Sequence, residues 1–448
     1  MEQVKDNYLF LTTAPIPKII QSLATPAIVS MLMTSFYNMA DTYFVGKINT
    51  QATAAVGVTF ALMSVIQAIG FFFGQGSGTY ISRQLGARNT DKAKEMASTS
   101  FFIALAFGII LTVVGLICLR PLSIALGSTD TILPYTEKFM SMILLGAPFM
   151  IGTMTLNNQM KFQGNALLSM YGMLSGAIVN LLCVPLFIFV FDWGIFGAGL
   201  GTLIGQISGF IVLWFMAQRK DNIHISLRLV RLKKEYFTEI FRGGTPSLTR
   251  QGLAAVSTSL LNLAAGAYGD AAIAGMSIVS RMSFLILSAV IGLGHGFQPL
   301  CGFNYGAKLY RRVKEGYFYC IKLSVIFLIV GVAVCFPLSS QIIHLFRDDI
   351  QVEQVGAVAF RWQMITYPLV AFITLSNMMM QTTGKSISAN LVAASRNGIC
   401  FIPLIFTCSH FLGLHGIEIC QAVSDCLTFI ITLPLTIHLL REMKTTEE

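Results

Sequence analysis

The sequence predicts an all-α polytopic membrane protein, with twelve transmembrane helices arranged as two six-helix lobes. Three observations lead there. The 448 residues are 54% hydrophobic and only 11% charged. Soluble domains carry about 25% charged residues, so a soluble fold would lack the polar surface to cover its core. Twelve apolar segments recur along the chain, each long enough to cross about 30 Å of hydrocarbon as a helix. The second six repeat the first at an offset of 220 residues, in register over a long stretch. Thr25-Pro26 meets Thr245-Pro246, and Gly74 and Gly76 meet Gly294 and Gly296. Gly86-Ala87-Arg88 meets Gly306-Ala307-Lys308, Pro148 meets Pro368, Asn157 meets Asn377 and Gly164 meets Gly384. Internal duplication in a membrane chain marks a two-lobed architecture with its site between the lobes.

The first lobe, 1–218, holds segments at 16–46, 53–81, 94–118, 133–160, 167–190 and 194–217. A polar linker follows at 219–235. The second lobe, 236–448, holds 236–267, 271–300, 315–338, 351–381, 387–410 and 415–440. β-Barrel strands would be about ten residues long and would alternate; these segments do neither. Alternate loops carry the positive charge. Arg83, Arg88, Lys92 and Lys94 follow the second segment, and Lys308, Arg311, Arg312 and Lys314 follow the eighth. The linker holds Arg219, Lys220, Arg228, Arg231, Lys233 and Lys234, whereas the opposite loops hold only Lys47, Arg120, Lys138 and Arg347. The positive-inside rule then places both termini in the cytoplasm. The net charge is +9, but these charges border spans, which argues for topology and against a nucleic-acid partner.

Residues 1–18 are polar with scattered apolar positions. They lack the basic start and short apolar core of a cleaved signal peptide, and they suit an amphipathic segment on the membrane surface. The nine cysteines are odd in number and scattered, mostly in apolar runs. That pattern fits free buried thiols, and no histidine has metal-ligand spacing with another His or Cys.

Asp41 is the strongest single candidate for chemistry. It lies inside the first span, where an acid is costly and must face a cavity or a partner. A carboxyl there can take up and release a proton. The plainer reading puts it at the membrane edge, hydrogen-bonded by Asn38 or Thr42. Tyr37 stands one turn earlier on the same face. Asn180 lies mid-span in the fifth segment, five residues before Pro185. Either can supply an oxygen ligand, or simply pack at a helix interface. In the last span Glu418 and Asp425 share a face two turns apart, and Asp425 is the deeper. Arg250, Arg281 and Arg396 stand in apolar context and cannot discharge themselves. One of Arg250 and Arg396 is expected to pair with Asp425.

The glycine strings 70–78, 197–201 and 292–296 have no preceding strand and no Walker lysine, so close helix packing explains them. Pro26, Pro148, Pro246, Pro299 and Pro368 suggest kinks. Met378-Met379-Met380 suits an apolar cavity, or packing against lipid. No enzyme motif is present and there is no soluble room for a nucleotide-binding domain. The expected driving force is therefore an ion gradient, with no cofactor.

The strings Asn38-Met39-Ala40-Asp41-Thr42-Tyr43-Phe44-Val45-Gly46 and Gly76-Ser77-Gly78-Thr79-Tyr80-Ile81-Ser82-Arg83-Gln84-Leu85-Gly86-Ala87 resemble the multidrug and toxic compound extrusion (MATE) family. So do Tyr268-Gly269-Asp270-Ala271-Ala272-Ile273-Ala274 and Gly302-Phe303-Asn304-Tyr305-Gly306-Ala307. The resemblance covers essentially the whole chain, and its details look like the MepA-like subgroup. It implies a bacterial inner-membrane antiporter that exports small organic cations in exchange for H⁺ or Na⁺. By the same resemblance the cation or proton site comprises Asp41, Tyr37, Asn180, Thr202 and the backbone oxygen of Ala198. The family pattern expects an aspartate just before Pro185, where this chain has Val184. One carboxylate ligand is thus missing, which counts against Na⁺ and leaves H⁺ through Asp41. Asn38, Asn157, Arg250, Asn377, Arg396 and Asp425 are assigned to the substrate cavity. One two-lobed chain suffices, so a monomer in membrane lipid is expected. The alternative is a lipid-linked precursor flippase of the same superfamily, which would want arginines for phosphate.

Overall fold

The computed structural model of the protein describes residues 2–219, 222–346 and 349–445. Every regular element among them is helical. In the first half α1 (Glu2–Thr13) precedes α2 (Ile16–Gly46), α3 (Thr50–Gly86), α4 (Thr90–Ile117), α5 (Leu119–Ala125), α6 (Leu133–Phe162), α7 (Ala166–Pro185) and α8 (Gly194–Ala217). The second half has α9 (Lys234–Gly266), α10 (Asp270–Gly306), α11 (Tyr310–Cys335), α12 (Ser339–Phe346) and α13 (Ile350–Thr382). It ends with α14 (Ser386–Ala394), α15 (Phe401–Leu412) and α16 (Leu414–Thr445). Two π turns interrupt spans. Leu186–Val190 extends α7 after Pro185, and Ser395–Ile399 joins α14 to α15 as one span.

Eleven spans among the described residues are long and apolar enough to cross a membrane. The seventh of the expected twelve, α9, is 33 residues long but more polar, because Glu239, Arg242 and Arg250 interrupt it. It stands at the repeat position of α2. The helices α3 and α10, at 37 residues each, exceed the expected segments. Helix at 1.5 Å per residue carries them past the apolar layer, into the basic turns that follow Gly86 and Gly306. The polar start is helix α1. The short helices α5 and α12 occupy matching places between the third and fourth spans of each half.

The duplication persists in the backbone. Arg88 and Lys308 both have φ 61°, and Gly164 and Gly384 have φ 89° and 82°. Each pair is separated by the same 220 residues.

The two halves meet by a symmetric exchange: α2 packs on α10 while α9 packs on α3, and α3 crosses α10. The seam lies at the end that carries α1 and the linker. A Cβ on Gly86 would stand 2.1 Å from the Phe303 oxygen, and one on Gly306 would stand 2.0 Å from the Arg83 oxygen. The missing side chains permit this crossing. Helix α1 bridges it, because Asn304 Nδ2 donates to Leu11 O at 3.0 Å and Arg312 Nη2 to Ala14 O at 2.6 Å. Charge adds to the α3–α9 side, where Arg83 Nη2 meets Glu239 Oε2 at 2.5 Å and Tyr80 donates to Glu235 at 2.9 Å. Among the described residues the cross-half hydrogen bonds reach no deeper than Gln75 and His295. Beyond that level each half holds a cavity of its own. One apolar core runs through the first half and across the seam (Phe73, Met140, Leu293, Phe297), and a second fills the far part of the second half (Met276, Phe360, Tyr367, Phe401).

Candidate functional site

The helix α2 carries Asp41 to five residues from its end at Gly46, remote from the seam. The neighbours α7 and α8 bring Asn180 and Thr202 against it. Glycine makes this approach possible, since a Cβ on Gly205 would stand 2.7 Å from Asn180 Cβ. The Asp41 carboxyl, half-buried, faces the Asn180 side chain, which acts on it. Asn180 Nδ2 donates to Thr202 Oγ1 at 3.3 Å, and Thr202 Oγ1 donates to Ala198 O at 3.0 Å. Four of the five expected residues therefore form one chain of contacts. Asn180 Oδ1 is buried with no hydrogen-bond partner among the described residues. Val184 is buried beside Gly201, whose Cβ would stand 2.8 Å from Val184 Cγ2. The side chains of Tyr37 and Asn38 lie outside the described residues.

This chain borders a cavity of about 120 Å³, into which Asn180 and Thr202 face together with Gln67 and Gln206. Five methionines line it: Met33, Met63, Met150, Met154 and Met173. Such unbranched, polarisable side chains adapt to varied apolar bodies. The triplet Met378–Met380, by contrast, is fully packed, facing neither a cavity nor lipid.

The second half has a cavity of about 200 Å³ at the corresponding place, lined by Arg396, Asn397, Gln363 and Gln421 among others. Its acid is fully engaged. Asp425 Oδ1 accepts from Arg396 Nε at 2.8 Å and Gln421 Nε2 at 3.1 Å, and Oδ2 accepts from Thr366 Oγ1 at 3.3 Å. The carboxylate is 2% exposed and the arginine 26%. Of the two arginines, Arg396 is therefore the partner of Asp425. The π turn on which it sits re-aims this side chain, as such turns often do at functional positions. Its backbone is pinned by Ser424 Oγ donating to Arg396 O at 2.7 Å.

Arg250 lies elsewhere. Its Nη1 donates to Asn377 Oδ1 at 3.0 Å and its Nη2 to Ser247 Oγ at 3.4 Å. Asn377 and Asn157 are buried, and neither lines a cavity. Each ties its helix to the next: Asn377 Nδ2 donates to Ala389 O at 2.6 Å, and Asn157 Nδ2 to Ser169 O at 3.1 Å. Arg281 is exposed on α10, and Glu418 is buried against His415 at 2.7 Å.

Sequence reasoning missed a polar floor where the halves join. Gln75 Nε2 lies 3.0 Å from Asn158 Oδ1 and 3.4 Å from His295 Nδ1. Gln298 joins both Gln75 and His295, at 3.1 Å each. The residues Gln75 and His295 are repeat equivalents, and that signal was available in the sequence.

The sequence pattern of one family, MatE, matches twice, over residues 26–186 and 246–407. The chain belongs to the MatE family. The two matches start at Pro26 and Pro246, so the family unit is the repeat itself. Among curated MatE relatives, the multidrug export protein MepA of Staphylococcus aureus (strain MRSA252) is 28% identical, over 99% of this chain and 98% of its own length. The MepA of Staphylococcus saprophyticus is 28% identical over 99% of both chains. Solved structures share the fold. An outward-facing multidrug resistance MATE family transporter of the MOP superfamily superposes with a TM-score of 0.91 at 22% identity, covering 98% of each chain. A MOP superfamily transporter from Pyrococcus furiosus, described as having a binding pocket of reversed polarity, also gives 0.91 at 22%, over 97% of this chain and 98% of its own.

Proposed function

We propose that this MatE protein exports small organic cations across the bacterial inner membrane by alternating access, driven by proton entry at Asp41. The observation that carries this reading is the Asp41–Asn180–Thr202 chain at the edge of a methionine-lined cavity, in the half-molecule wall remote from the seam. The export activity follows the relatives named MepA, which match end to end. The basic turns after Gly86 and Gly306 and the basic linker all lie at the seam. By the positive-inside rule that end is cytoplasmic, with both termini.

The chain's own residues supply the switch. Ionised Asp41 accepts from the Asn180 amide and attracts a cation into the cavity. Protonated Asp41 becomes a donor, and the unused Asn180 Oδ1 is the acceptor it needs; a rotation of the amide connects the two arrangements. The charge that held the cation disappears, and the cation leaves outward. A ligand shifts the equilibrium only by its differential affinity for the two states, and here the proton sets that difference. Sodium fits less well. Asp41, Asn180 Oδ1, Thr202 Oγ1 and Ala198 O offer oxygens, but Ala198 O is already engaged by Thr202 and Val184 contributes none. A single chain contains both halves, so we take the working unit to be a monomer.

The test is uptake of a fluorescent organic cation into proteoliposomes, under a proton gradient or a sodium gradient separately, for wild type and Asp41→Asn. Proton-driven uptake that falls to the protein-free level in Asp41→Asn is expected. Sodium-driven uptake would overturn the coupling ion, and undiminished uptake in the variant would overturn the site.

A further inference from the structure

One element at the seam grips both halves at once. By composition α1 suits a surface segment, yet it lies across the junction. Leu11 is 1% exposed and Thr12 6%, whereas Leu9 and Thr13 face out. The contacts of α1 with the first half come from around Asn7. Asn7 Nδ2 donates to Gln163 O at 3.2 Å and to Asn165 Oδ1 at 3.0 Å, in the turn between α6 and α7. The Arg88 guanidinium, in the turn after α3, stands over the Tyr8 ring at 4.7 Å.

The contacts with the second half come from the other end. Leu11 O accepts from Asn304 on α10, and Ala14 O from Arg312 on α11, which also donates to Asn304 Oδ1 at 3.2 Å. The last carbonyls of a helix lack partners within it, and a guanidinium at that end suits the helix dipole. From Asn7 to Ala14 is about 10 Å of helix. That length has no slack to keep both grips when the halves part.

The repeat shows that covering this end does not require a bridge. Residues 222–233 of the linker stand 220 positions after α1, and they grip the first half. Ile223 N donates to Gln163 Oε1 at 2.8 Å, Ser226 N to Ser98 Oγ at 3.2 Å and Arg231 N to Thr99 Oγ1 at 2.9 Å. The turn at Gln163–Asn165 serves both elements, since the Asn165 amide also bonds Asn222. Helix α1 reaches from that shared turn to α10 and α11.

We propose that α1 is a clasp on the seam, which lets go of one half before this end opens. Its two grips act in series, so the clasp is lost when either one fails. Under the alternating-access reading, on which this rests, release of α1 is a step of each transport cycle and sets how often the cytoplasmic end opens.

Hydrogen exchange of the full chain in nanodiscs, read by mass spectrometry, tests the clasp. The first-half turn 163–165 and the α10 end 300–306 are the two reporters. Asn7→Ala removes neutral bonds and Arg312→Gln removes charged ones, so exchange should rise about fivefold or more in the first and about tenfold or more in the second. Each variant should speed exchange on both sides of the seam, including the side it does not touch. The double variant should add little to the larger single effect, because a clasp already released cannot be released again. Arg312→Lys keeps a cation at the Ala14 carbonyl and should stay close to wild type. No rise, changes confined to the side of each substitution, or effects that multiply in the double variant would overturn the clasp. Uptake of rhodamine 6G by wild-type proteoliposomes under a proton gradient is read in parallel. If both sides respond but the dye is not moved, the export reading fails and the clasp stands. If the dye is moved and the effects stay local, the clasp fails and export stands.

Discussion

Each half of the molecule places one acid beside its cavity, and the two are held in opposite ways. Among the described residues Asp41 meets one amide, that of Asn180, which on the proposed reading serves either protonation state. Asp425 has three donors, one of them a guanidinium, and almost no exposure. Neither arrangement is repeated in the other half. The repeat equivalent of Asp41 is Leu261, that of Asp425 is Gly205, and that of Arg396 is Gly176. The helices, the seam and the turns repeat between the halves; these charges do not. On the proposed reading, the two acids give the halves different tasks, one that changes charge and one that keeps its shape.

The sharpest way to break that contrast is to remove one partner from each wall. Arg396→Gln leaves the Asp425 carboxylate buried without its countercharge, which should cost about 3 to 5 kcal/mol of stability. Replacing both, Arg396→Met with Asp425→Leu, should recover most of the loss, because no lone charge remains. Asp41→Asn should cost no more than about 1 kcal/mol, since the Asn180 contact survives in neutral form. Denaturant unfolding in detergent compares the three. If Asp41→Asn is as damaging as Arg396→Gln, the two acids play alike structural roles and the contrast is wrong.

Much of this scaffold was legible in the sequence, because hydropathy and a fixed offset act on whole segments. The boundaries of most spans fall within a few residues of the apolar runs. The polar span α9 is recognisable only through its alignment with α2, as its own composition is ambiguous. Pairing was legible in kind but not in detail. An acid and two arginines in apolar context imply an ion pair, yet the choice of Arg396 over Arg250 depends on a π turn at Ser395–Ile399. No proline marks that turn, and it arises from packing.

The seam offers a case in which the halves should behave alike. Gly86 and Gly306 occupy equivalent positions, and each lies against the carbonyl of the opposite helix at nearly the same hypothetical distance, 2.1 and 2.0 Å. Gly86→Ala and Gly306→Ala should each weaken the closed seam by overpacking, by about 1 to 3 kcal/mol, and shift the population toward the state open at that end. Cys301 on α10 is buried, so its maleimide labelling followed by mass spectrometry reads the opening. Both variants should raise the labelling rate to a similar degree. A rise in only one would show that the seam is not the symmetric exchange its contacts describe.

The smallest effect separates two asparagines that share one structural task. Asn157 and Asn377 each donate to a carbonyl of the following helix, at 3.1 and 2.6 Å, and so fix the same turn in the two halves. Asn377 has a second duty, because its Oδ1 accepts from Arg250 Nη1 at 3.0 Å. Asn157→Ala should therefore cost about 1 kcal/mol, the worth of one neutral hydrogen bond, and Asn377→Ala about 2 to 3 kcal/mol, because a bond to a charged group is lost as well. In Arg250→Gln protein the extra cost of Asn377→Ala should vanish, while that of Asn157→Ala should stay the same. A double-mutant cycle on unfolding free energies isolates this coupling. Zero coupling would mean that Arg250 finds other acceptors as readily, and the duplicated asparagines would then differ in sequence position alone.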